Sequence, residues 1–577
     1  MSGEGQGGQG RGRGSSGGGA RGGSRGGAGG GSRGGSRNGS GGGPRGGSHG
    51  GLRGGSGGTR RESGGEDRRD AAGRQRNRGR SGAGRHRTAQ APSQRTRQAD
   101  PARLTAFRVV RAVHAEDAYA NLVLPRRIRE ARLDRRDAGF ATELAYGTLR
   151  GIGLYDAVLA RCVDRPLDAI DAPVLDALRL GAHQLLHMRV PAHAALDATV
   201  ALVRAEVGAG PSGFVNAVLR RVSERPLEDW LADVAPEDGG DTARAVRHSH
   251  PAWIVRALRQ ALAGHPSTAA AEDRDAELEA LLAADNAAPM VNLVGLPVPG
   301  GAEALQAAID DGAEPGPLAP GSALHHGGDA GRLAGLREGV LRVQDVGSQL
   351  TARALATVET RAGDADGRWL DLCAGPGGKA ALLAALAAER GATVLANEVA
   401  PHRAELVRSA LAGVPEAAWQ VRTGDGRTIA EDAPAGGFGR ILVDAPCTGL
   451  GALRRRPESR WRRTPADLAA LTGLQAELLD AAVGALAPGG VLAYVTCSPH
   501  VAETIVQVQD LARRHPELEQ LDAAAALQDV ALADLGLTAP EGTDPVTALT
   551  AQLWPHRHGT DAMFLALFRA PEREERA

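Results

Sequence analysis

The stretch I-L-V-D-A-P-C-T-G at Ile441–Gly449 puts an acid, Asp444, and a thiol, Cys447, at the end of an apolar run. A run of this length bounded by turn residues predicts a buried parallel strand. Both side chains then fall at the carboxyl edge of a sheet, where open α/β sheets hold their ligands. Pro446 fixes its own φ and restricts Ala445, so the thiol is aimed in one direction. A second stretch, V-L-A-Y-V-T-C-S at Val491–Ser498, repeats the pattern and ends in Cys497. One such motif alone reads equally well as an inert buried cysteine at a turn. Two strand-end thiols that can converge on one pocket point to nucleophilic chemistry, because the thiolate is the reactive form of cysteine.

A glycine loop precedes these motifs. After the strand-like W-L-D-L comes Cys373-Ala374-Gly375-Pro376-Gly377-Gly378-Lys379, then a helix. Glycines here allow a ligand to approach the backbone closely. The spacing is not G-x-G-x-x-G, and Ala380 follows Lys379 where a phosphate-binding loop requires Ser or Thr. Neither a dinucleotide nor ATP is favoured. The next strand ends at A-N-E, so Glu398 can accept hydrogen bonds from ribose hydroxyls. Asp425, in T-G-D-G-R after another strand-like segment, is placed to meet an adenine amino group. Glycine loop, acid, acid and D-A-P-C in that order suit an adenosine ligand without phosphates. Lys379 is expected near the site, although pairing at a helix end reads as well for it.

The chain that must position these residues has 577 residues, too many for one compact domain. It contains 81 glycines, concentrated at the N-terminus, and its net charge is zero. Residues 1–100 are irregular Gly, Arg and Ser repeats without aromatic residues, and no acid occurs between Gly5 and Arg61. Such a segment cannot form a core and is predicted to be a disordered basic tail. It serves either as an RNA-binding arm acting on the phosphate backbone or as a solubilising tail. Residues 102–222 carry apolar residues at helical spacing, as in Val174, Leu175, Leu178, Leu180 and Leu185, and predict a helical bundle.

Residues 223–340 predict a small α+β module with a short strand at Val291–Val294 and Gly/Pro-rich turns over 296–321. His248, His250, His325 and His326 read as surface histidines, since no Cys or carboxylate spacing signals a metal. From 341 onward strands alternate with helices, which argues a doubly wound parallel sheet. The strands expected are Trp369–Leu372, Thr393–Asn397, Ile441–Asp444, Val491–Thr496 and Met563–Leu567. The four cysteines, Cys162, Cys373, Cys447 and Cys497, show no CxxC spacing. That usage suits a reducing, cytoplasmic setting. There is no apolar leader and no uninterrupted apolar run of about 18 residues, so no membrane role is expected.

Several phrases resemble known families. D-A-G-F-A-T-E-L-A-Y-G-T-L-R (137–150), L-R-L-G-A-H-Q-L-L (178–186), V-P-A-H-A-A (190–195) and G-F-V-N-A-V-L-R-R (213–221) resemble the NusB-like RNA-binding family. By that resemblance Arg220 and Arg221 face RNA. V-Q-D-V-G-S-Q-L (343–350), D-L-C-A-G-P-G-G-K (371–379), N-E-V-A-P-H-R (397–403), D-A-P-C-T-G-L-G-A-L-R-R-R-P-E-S-R-W (444–461), A-P-G-G-V-L-A-Y-V-T-C-S (487–498) and T-D-A-M-F (560–564) resemble RNA cytosine-5 methyltransferases. The match is to the bacterial 16S ribosomal RNA enzymes of the RsmB (Sun/Fmu) type. Departures are Glu398 for a usual Asp, Thr448 for a usual Ser, and Thr504 for an Asn after Glu503.

The resemblance, together with the tail that composition alone sets apart, implies four parts. They are a tail (1–100), a NusB-like helical domain (101–235), a linking α+β module that helps bind RNA (236–340), and a Rossmann-like class I methyltransferase domain (341–577). It also implies S-adenosylmethionine as donor, Cys497 as the nucleophile on carbon 6 of cytosine, and Cys447 in release of the product. Asp444 is implied near cytosine N3 and at the methionine end of the cofactor, as well as the cofactor set Cys373–Lys379, Glu398 and Asp425. The expected partner is RNA, either 16S ribosomal RNA or a small-subunit assembly intermediate, with transfer RNA as the alternative. The expected state is a cytoplasmic monomer without a metal.

Overall fold

The structure is a computed structural model and describes residues 99–269, 273–327 and 330–572. The reading of residues 1–98 lies outside them. The first described region is helical throughout, from Pro101–Ala115 to Leu227–Val234. Asp100 caps the first helix by accepting from the Arg103 amide at 2.9 Å, and Pro101 sits where a helix start needs no N–H donor. Phe107, Val110, Leu144, Leu149, Leu159, Leu178, Leu180 and Val203 form the core of this bundle. Their helical spacing is the one expected for 102–222.

Helices Gly240–Arg247, Ala252–Gly264 and Arg274–Asn286 follow. They pack Ile254, Val255, Leu258, Leu278 and Leu282 against Leu450, Leu453 and Trp554 from the far end of the chain. A small antiparallel sheet comes next, from β1 (Val291–Gly295), β2 (Glu314–Pro315), β3 (Ser322–His325) and β4 (Leu341–Val343), in the order β2-β3-β1-β4. The segment expected to be turns across 296–321 contains the helix Gly301–Asp310. Its A-E-A-L-Q-A-A-I-D sequence is strongly helix-forming, and Gly300, at φ 86°, supplies the left-handed turn that starts it. His250 is also not a surface residue. It is 2% exposed, and its Nδ1 donates to the His248 carbonyl at 2.7 Å.

The large sheet comprises β5 (Arg368–Asp371), β6 (Thr393–Glu398), β7 (Trp419–Thr423), β8 (Phe438–Asp444), β9 (Leu486–Thr496), β10 (Glu519–Leu521), β11 (Ala551–Gln552) and β12 (Phe564–Arg569). The order is β10-β12-β9-β8-β5-β6-β7, with β11 also paired to β12. Strands β5 to β9 are parallel. Strand β12 runs antiparallel to β9, and β10 and β11 run antiparallel to β12. The sheet is therefore mixed, which corrects the expectation of an all-parallel one. The last strands follow loops and short helices, and no right-handed crossover forces them parallel.

Both faces of this sheet are covered. Leu442, Ala493 and Val495 face the layer of helices Val346–Thr357, Gly378–Glu389 and Pro401–Leu411. Ile441, Val443, Leu492 and Tyr494 face Leu478, Leu479, Val508 and Leu511 on the other side. The alternation along β8 and β9 is the period of two that a pleated strand imposes. Among the described residues, helix Pro465–Ala485 alone is long and apolar enough to cross a bilayer. It carries Asp467, Glu477 and Asp480 and rests Leu478, Leu479 and Ala482 on the sheet.

Candidate active site

The strand order reverses between β5 and β8, where β6 lies to one side and β9 to the other. A crevice outside the carboxyl ends of these strands is the usual ligand position in such sheets. The chain brings Cys373–Lys379, Glu398, Asp444, Cys447 and Cys497 to that edge. The thiols of Cys447 and Cys497 lie 3.5 Å apart and both are partly exposed. Lys379 Nζ donates to Asp444 Oδ2 at 2.9 Å.

The electrostatics separate the two thiols. Cys447 is pushed well above the usual thiol range, first by its hydrogen bond to Cys497 and then by burial. Cys497 is lowered by that same hydrogen bond from Cys447 and by the Lys379 ammonium, against burial and the Asp444 charge. The pair thus favours a Cys497 thiolate accepting the Cys447 S–H. Burial opposes the charge on Lys379, yet Asp444 outweighs it and raises the ammonium's pKa. Cys373 is pushed far up by burial and is an inert member of the loop.

The loops carrying the thiols are braced on each other. Glu503 is fully buried and accepts from the Thr448 amide at 2.7 Å, the Thr448 hydroxyl at 2.5 Å and the Gln475 amide at 3.2 Å. Gln475 also donates to the Pro446 carbonyl at 2.9 Å. The Thr448 and Ser498 hydroxyls are 3.0 Å apart. His265, from the helical region before the small sheet, donates through Nε2 to the Pro499 carbonyl at 2.9 Å. Thr504 hydrogen-bonds the His500 carbonyl at 2.9 Å.

The glycine loop is built around Glu398. Its Oε2 accepts from the Gly375 amide at 3.2 Å and its Oε1 from the Ala400 amide at 3.0 Å. A side chain at Gly375 would place Cβ 2.1 Å from Glu398 Oε2, so any larger residue there would have to displace the Glu398 carboxylate. Gly377, at φ 104°, turns the loop into helix Gly378–Glu389. Ala374 ties the loop to β6 through the Asn397 carbonyl at 2.9 Å. Asp371 is fully buried at the end of β5 and is pushed up to about 8 by burial, with the Asp444 charge next. Asp371, Glu398 and Asp444 form an acid-rich cradle that suits a ligand with hydroxyls and a positive centre, and disfavours phosphates.

Asp425 lies one strand further along the same edge, next to β6, where the Gly424 amide donates to the Glu398 carbonyl at 3.2 Å. It follows β7 at the sheet's edge, where it accepts from the Arg427 amide at 3.0 Å and from its guanidinium at 2.6 Å. That guanidinium holds its carboxyl below the usual range. Arg220 and Arg221, both expected to face RNA, are both exposed, and Arg221 also donates to the Cys162 carbonyl at 2.9 Å. Glu503, Gln475, His265 and Asp371 have no signal as site residues in the sequence, because their partners are remote along it. Among the described residues no group of three or more His, Cys, Asp and Glu is arranged to hold a metal.

Comparison with known proteins agrees with this geometry. Residues 358–569 match the family model described as 16S rRNA methyltransferase RsmB/F, and residues 100–224 match the NusB family. The ribosomal RNA small subunit methyltransferase B of Pseudomonas putida is 34% identical over 455 residues, covering 76% of this chain and 93% of that protein. The chain belongs to the RsmB/F family. A protein of Mycobacterium tuberculosis named as a methyltransferase is 49% identical over 484 residues, covering 84% of this chain and 99% of that protein. The crystal structure of PH0851 shares the fold, with a TM-score of 0.64 and 19% identity over 82% of this chain and 99% of that one. Family membership makes the chain an RNA methyltransferase with S-adenosylmethionine as cofactor. The acid cradle and glycine loop fit that cofactor's ribose hydroxyls and positive sulfonium.

Proposed function

We propose that the chain transfers a methyl group to carbon 5 of a cytosine in 16S ribosomal RNA through a covalent bond between Cys497 and carbon 6. The observation that carries this reading is the thiol pair itself, Cys447 and Cys497 with their sulfurs 3.5 Å apart at neighbouring strand ends. Carbon 5 of cytosine is too weak a nucleophile to be methylated directly. Addition of the Cys497 thiolate at carbon 6 breaks the 5,6 double bond, and carbon 5 then carries the electron pair that attacks. Lys379 and Asp444 present a proton and a carboxylate side by side, the set needed to protonate N3 and balance its charge during addition. Glu398 and the loop Cys373–Lys379 hold the cofactor, which supplies the electrophilic methyl when bound. Asp425 extends the adenosine side of that site.

Release needs a base. While Cys497 is a thiolate, its charge holds the Cys447 proton in place. Once Cys497 is bonded to carbon, that charge is gone and Cys447 ionises more readily. Its thiolate then takes the proton from carbon 5, the electron pair re-forms the 5,6 double bond, Cys497 leaves carbon 6 as the thiolate, and N3 returns its proton to Lys379. The target base must leave its stack to reach the thiols, so the substrate is a single-stranded or loop cytosine.

On this reading the parts divide at about residues 235 and 340, with the helical region and the linking module serving RNA binding. The enzyme works in the cytoplasm, as a monomer and without a metal, on free 16S RNA or an assembling subunit. The test is tritium transfer from labelled S-adenosylmethionine to bulk RNA, followed by fractionation and 5-methylcytosine mapping. Label at carbon 5 of a 16S cytosine, absent from a deletion strain's ribosomes before addition of the enzyme, is the expected result. Label in transfer RNA overturns the substrate assignment, and label on another atom overturns the chemistry.

A further inference from the structure

Immediately after the Cys447 loop the chain places two consecutive arginines on a pair of buried acids. Arg455 binds Asp561 through Nε, at 3.0 Å to each carboxylate oxygen, and through Nη2. Asp561 is fully buried and its amide donates to Asp345 Oδ2 at 3.0 Å. Asp345 is itself fixed as the cap of helix Val346–Thr357, accepting from the Gly347 amide at 3.0 Å. The neighbouring Arg454 is buried, 3.9 Å from both Asp345 and Asp561, and donates to the Gly559 carbonyl at 3.0 Å.

This cluster abuts the nucleophile. The Gly451 amide donates to the Cys497 carbonyl at 2.9 Å, and the Gly451 carbonyl accepts from Ala562 at 2.9 Å. A Cβ at residue 451 would lie 2.3 Å from the Ala562 carbonyl and 2.8 Å from that of Cys497. Glycine there lets the strand ends carrying Cys497 and Asp561 close on the segment bearing Arg455. The Arg455 side chain remains 39% exposed, and its Nη1 makes no hydrogen bond to any described residue. A guanidinium held rigid on one edge by a buried carboxylate and open to solvent on the other is a preformed fork for an anion.

We propose that Arg455 binds a phosphodiester of the RNA strand beside the cytosine presented to Cys497, with Asp561 and Asp345 as the positioning residues that aim it. A base swung out of its stack carries its own phosphates within reach of the groups around it. An anionic contact there fixes the flipped nucleotide without reading its base. This inference rests on the RNA cytosine methyltransferase reading above. Two simpler roles compete with it. Arg455 can serve only to neutralise Asp561, or it can act on the Cys497 thiolate.

The experiment uses the full chain and 16S RNA transcribed with 5-fluorocytidine, whose fluorine blocks loss from carbon 5 and traps the protein on RNA. Trapping by the wild-type protein tests the underlying reading; its absence overturns that reading rather than this inference. RNA binding is then followed across a salt series for Arg455→Gln and Arg455→Lys. With Arg455→Gln the slope of log K against log salt should fall by about 0.7, the value of one single-strand phosphate contact. Affinity should drop roughly tenfold or more, the loss of a charge-assisted contact. Binding of S-adenosylmethionine should be unchanged. Arg455→Lys should restore the slope but only part of the affinity. If Arg455→Gln does not fold, the Arg455→Gln/Asp561→Asn pair removes the buried charge together with its partner and is measured in its place. An unchanged slope and affinity, with donor binding intact, reduces Arg455 to a structural ion pair. An unchanged slope with a shifted pH profile of Cys497 alkylation assigns it to the thiolate instead. Either result overturns the proposal.

Discussion

Replacing Cys447 with alanine removes the thiol 3.5 Å from Cys497, the proposed hydrogen-bond donor to its thiolate, and two effects follow in opposite halves of the reaction. The first is on ionisation. A hydrogen bond to a charged group is worth about 1.5–3 kcal/mol. Discounting for the length of this contact to the lower end, its loss disfavours the Cys497 thiolate by roughly tenfold. Lys379 still favours the thiolate and Asp444 still opposes it, so the hydrogen bond is the one influence the variant changes. Below the pH at which the wild-type thiol ionises, alkylation of Cys497 by iodoacetamide should therefore slow roughly tenfold in Cys447→Ala. The difference should vanish at high pH, where Cys497 is ionised in both proteins. Mass spectrometry assigns the modified residue, and Cys373 and Cys162, whose thiols are pushed up by burial, should react slowly in both proteins. The second effect is on release. Without a base for the carbon 5 proton, the methylated RNA should stay bound through Cys497 as a slow band on a denaturing gel. Cys497→Ser should show no band, since a hydroxyl is almost wholly protonated at neutral pH. An alkylation profile of Cys447→Ala identical to wild type would refute the thiol–thiolate assignment. Trapping by Cys497→Ser with none by Cys447→Ala would exchange the two roles.

Three further outcomes follow from the same geometry. Glu398→Ala removes the acceptor proposed for the ribose hydroxyls and should weaken cofactor binding by roughly 1–3 kcal/mol in calorimetry, with the fold retained; unchanged affinity removes Glu398 from the site. Glu503→Ala strips the acceptor from two buried donors of Thr448 and from Gln475. It should cost roughly 2–5 kcal/mol in thermal unfolding and slow methyl transfer, and an unchanged Tm would show that the brace is dispensable. Asp285 is fully buried and pushed from 3.8 to about 7 by burial, its carboxylate 3.6 Å from His250 Nε2. A raised acid holds its proton more tightly in the folded state, so stability should decline as pH climbs from about 4 through about 7, by about 4 kcal/mol in all at about 1.4 kcal/mol per unit. Asp285→Asn should flatten that decline in urea titrations at stepped pH, and an equally steep variant would place the cause elsewhere.

What was legible in the sequence was whatever is local. The apolar runs ending in Asp444 and Cys497, the glycines after W-L-D-L and the helical spacing over 102–222 each fix an element within a few residues, and each element formed where expected. The edge of the sheet was less legible. Strands β10 and β11 are two or three residues long and owe their conformation to pairing with β12, not to a pattern of their own. The helix Gly301–Asp310 was masked by the glycines and prolines flanking it. Least legible were the braces, because their partners are far apart in the chain. Arg460 shows this best. It is fully buried, and its guanidinium donates to the Arg150, Ser249 and Asp285 carbonyls and to Asn286 Oδ1 at 2.7–3.3 Å. In the sequence it is one arginine in a basic stretch, and a solvated face is the natural reading of such a stretch.

The structure gives that stretch a different meaning. Glu458 accepts from the Ala120 amide at 3.1 Å at the start of helix Ala120–Glu130. Arg462 donates to the Val113 and Ala118 carbonyls at 2.9 and 2.6 Å. The segment that leaves Cys447 therefore passes Arg455 beside Cys497 and ends with Glu458, Arg460 and Arg462 anchored in the helical regions. A guanidinium buried without a full carboxylate partner is costly unless its donors are satisfied, and here three remote backbone carbonyls and Asn286 Oδ1 take hydrogen bonds from Nη1 and Nη2, while Nε has no partner among the described residues. The position of the D-A-P-C loop is thus set from both sides. Glu503 holds its strand end, and the helical regions hold its exit. A change at Arg460 should loosen the thiol loop from a distance, even though Arg460 touches neither thiol.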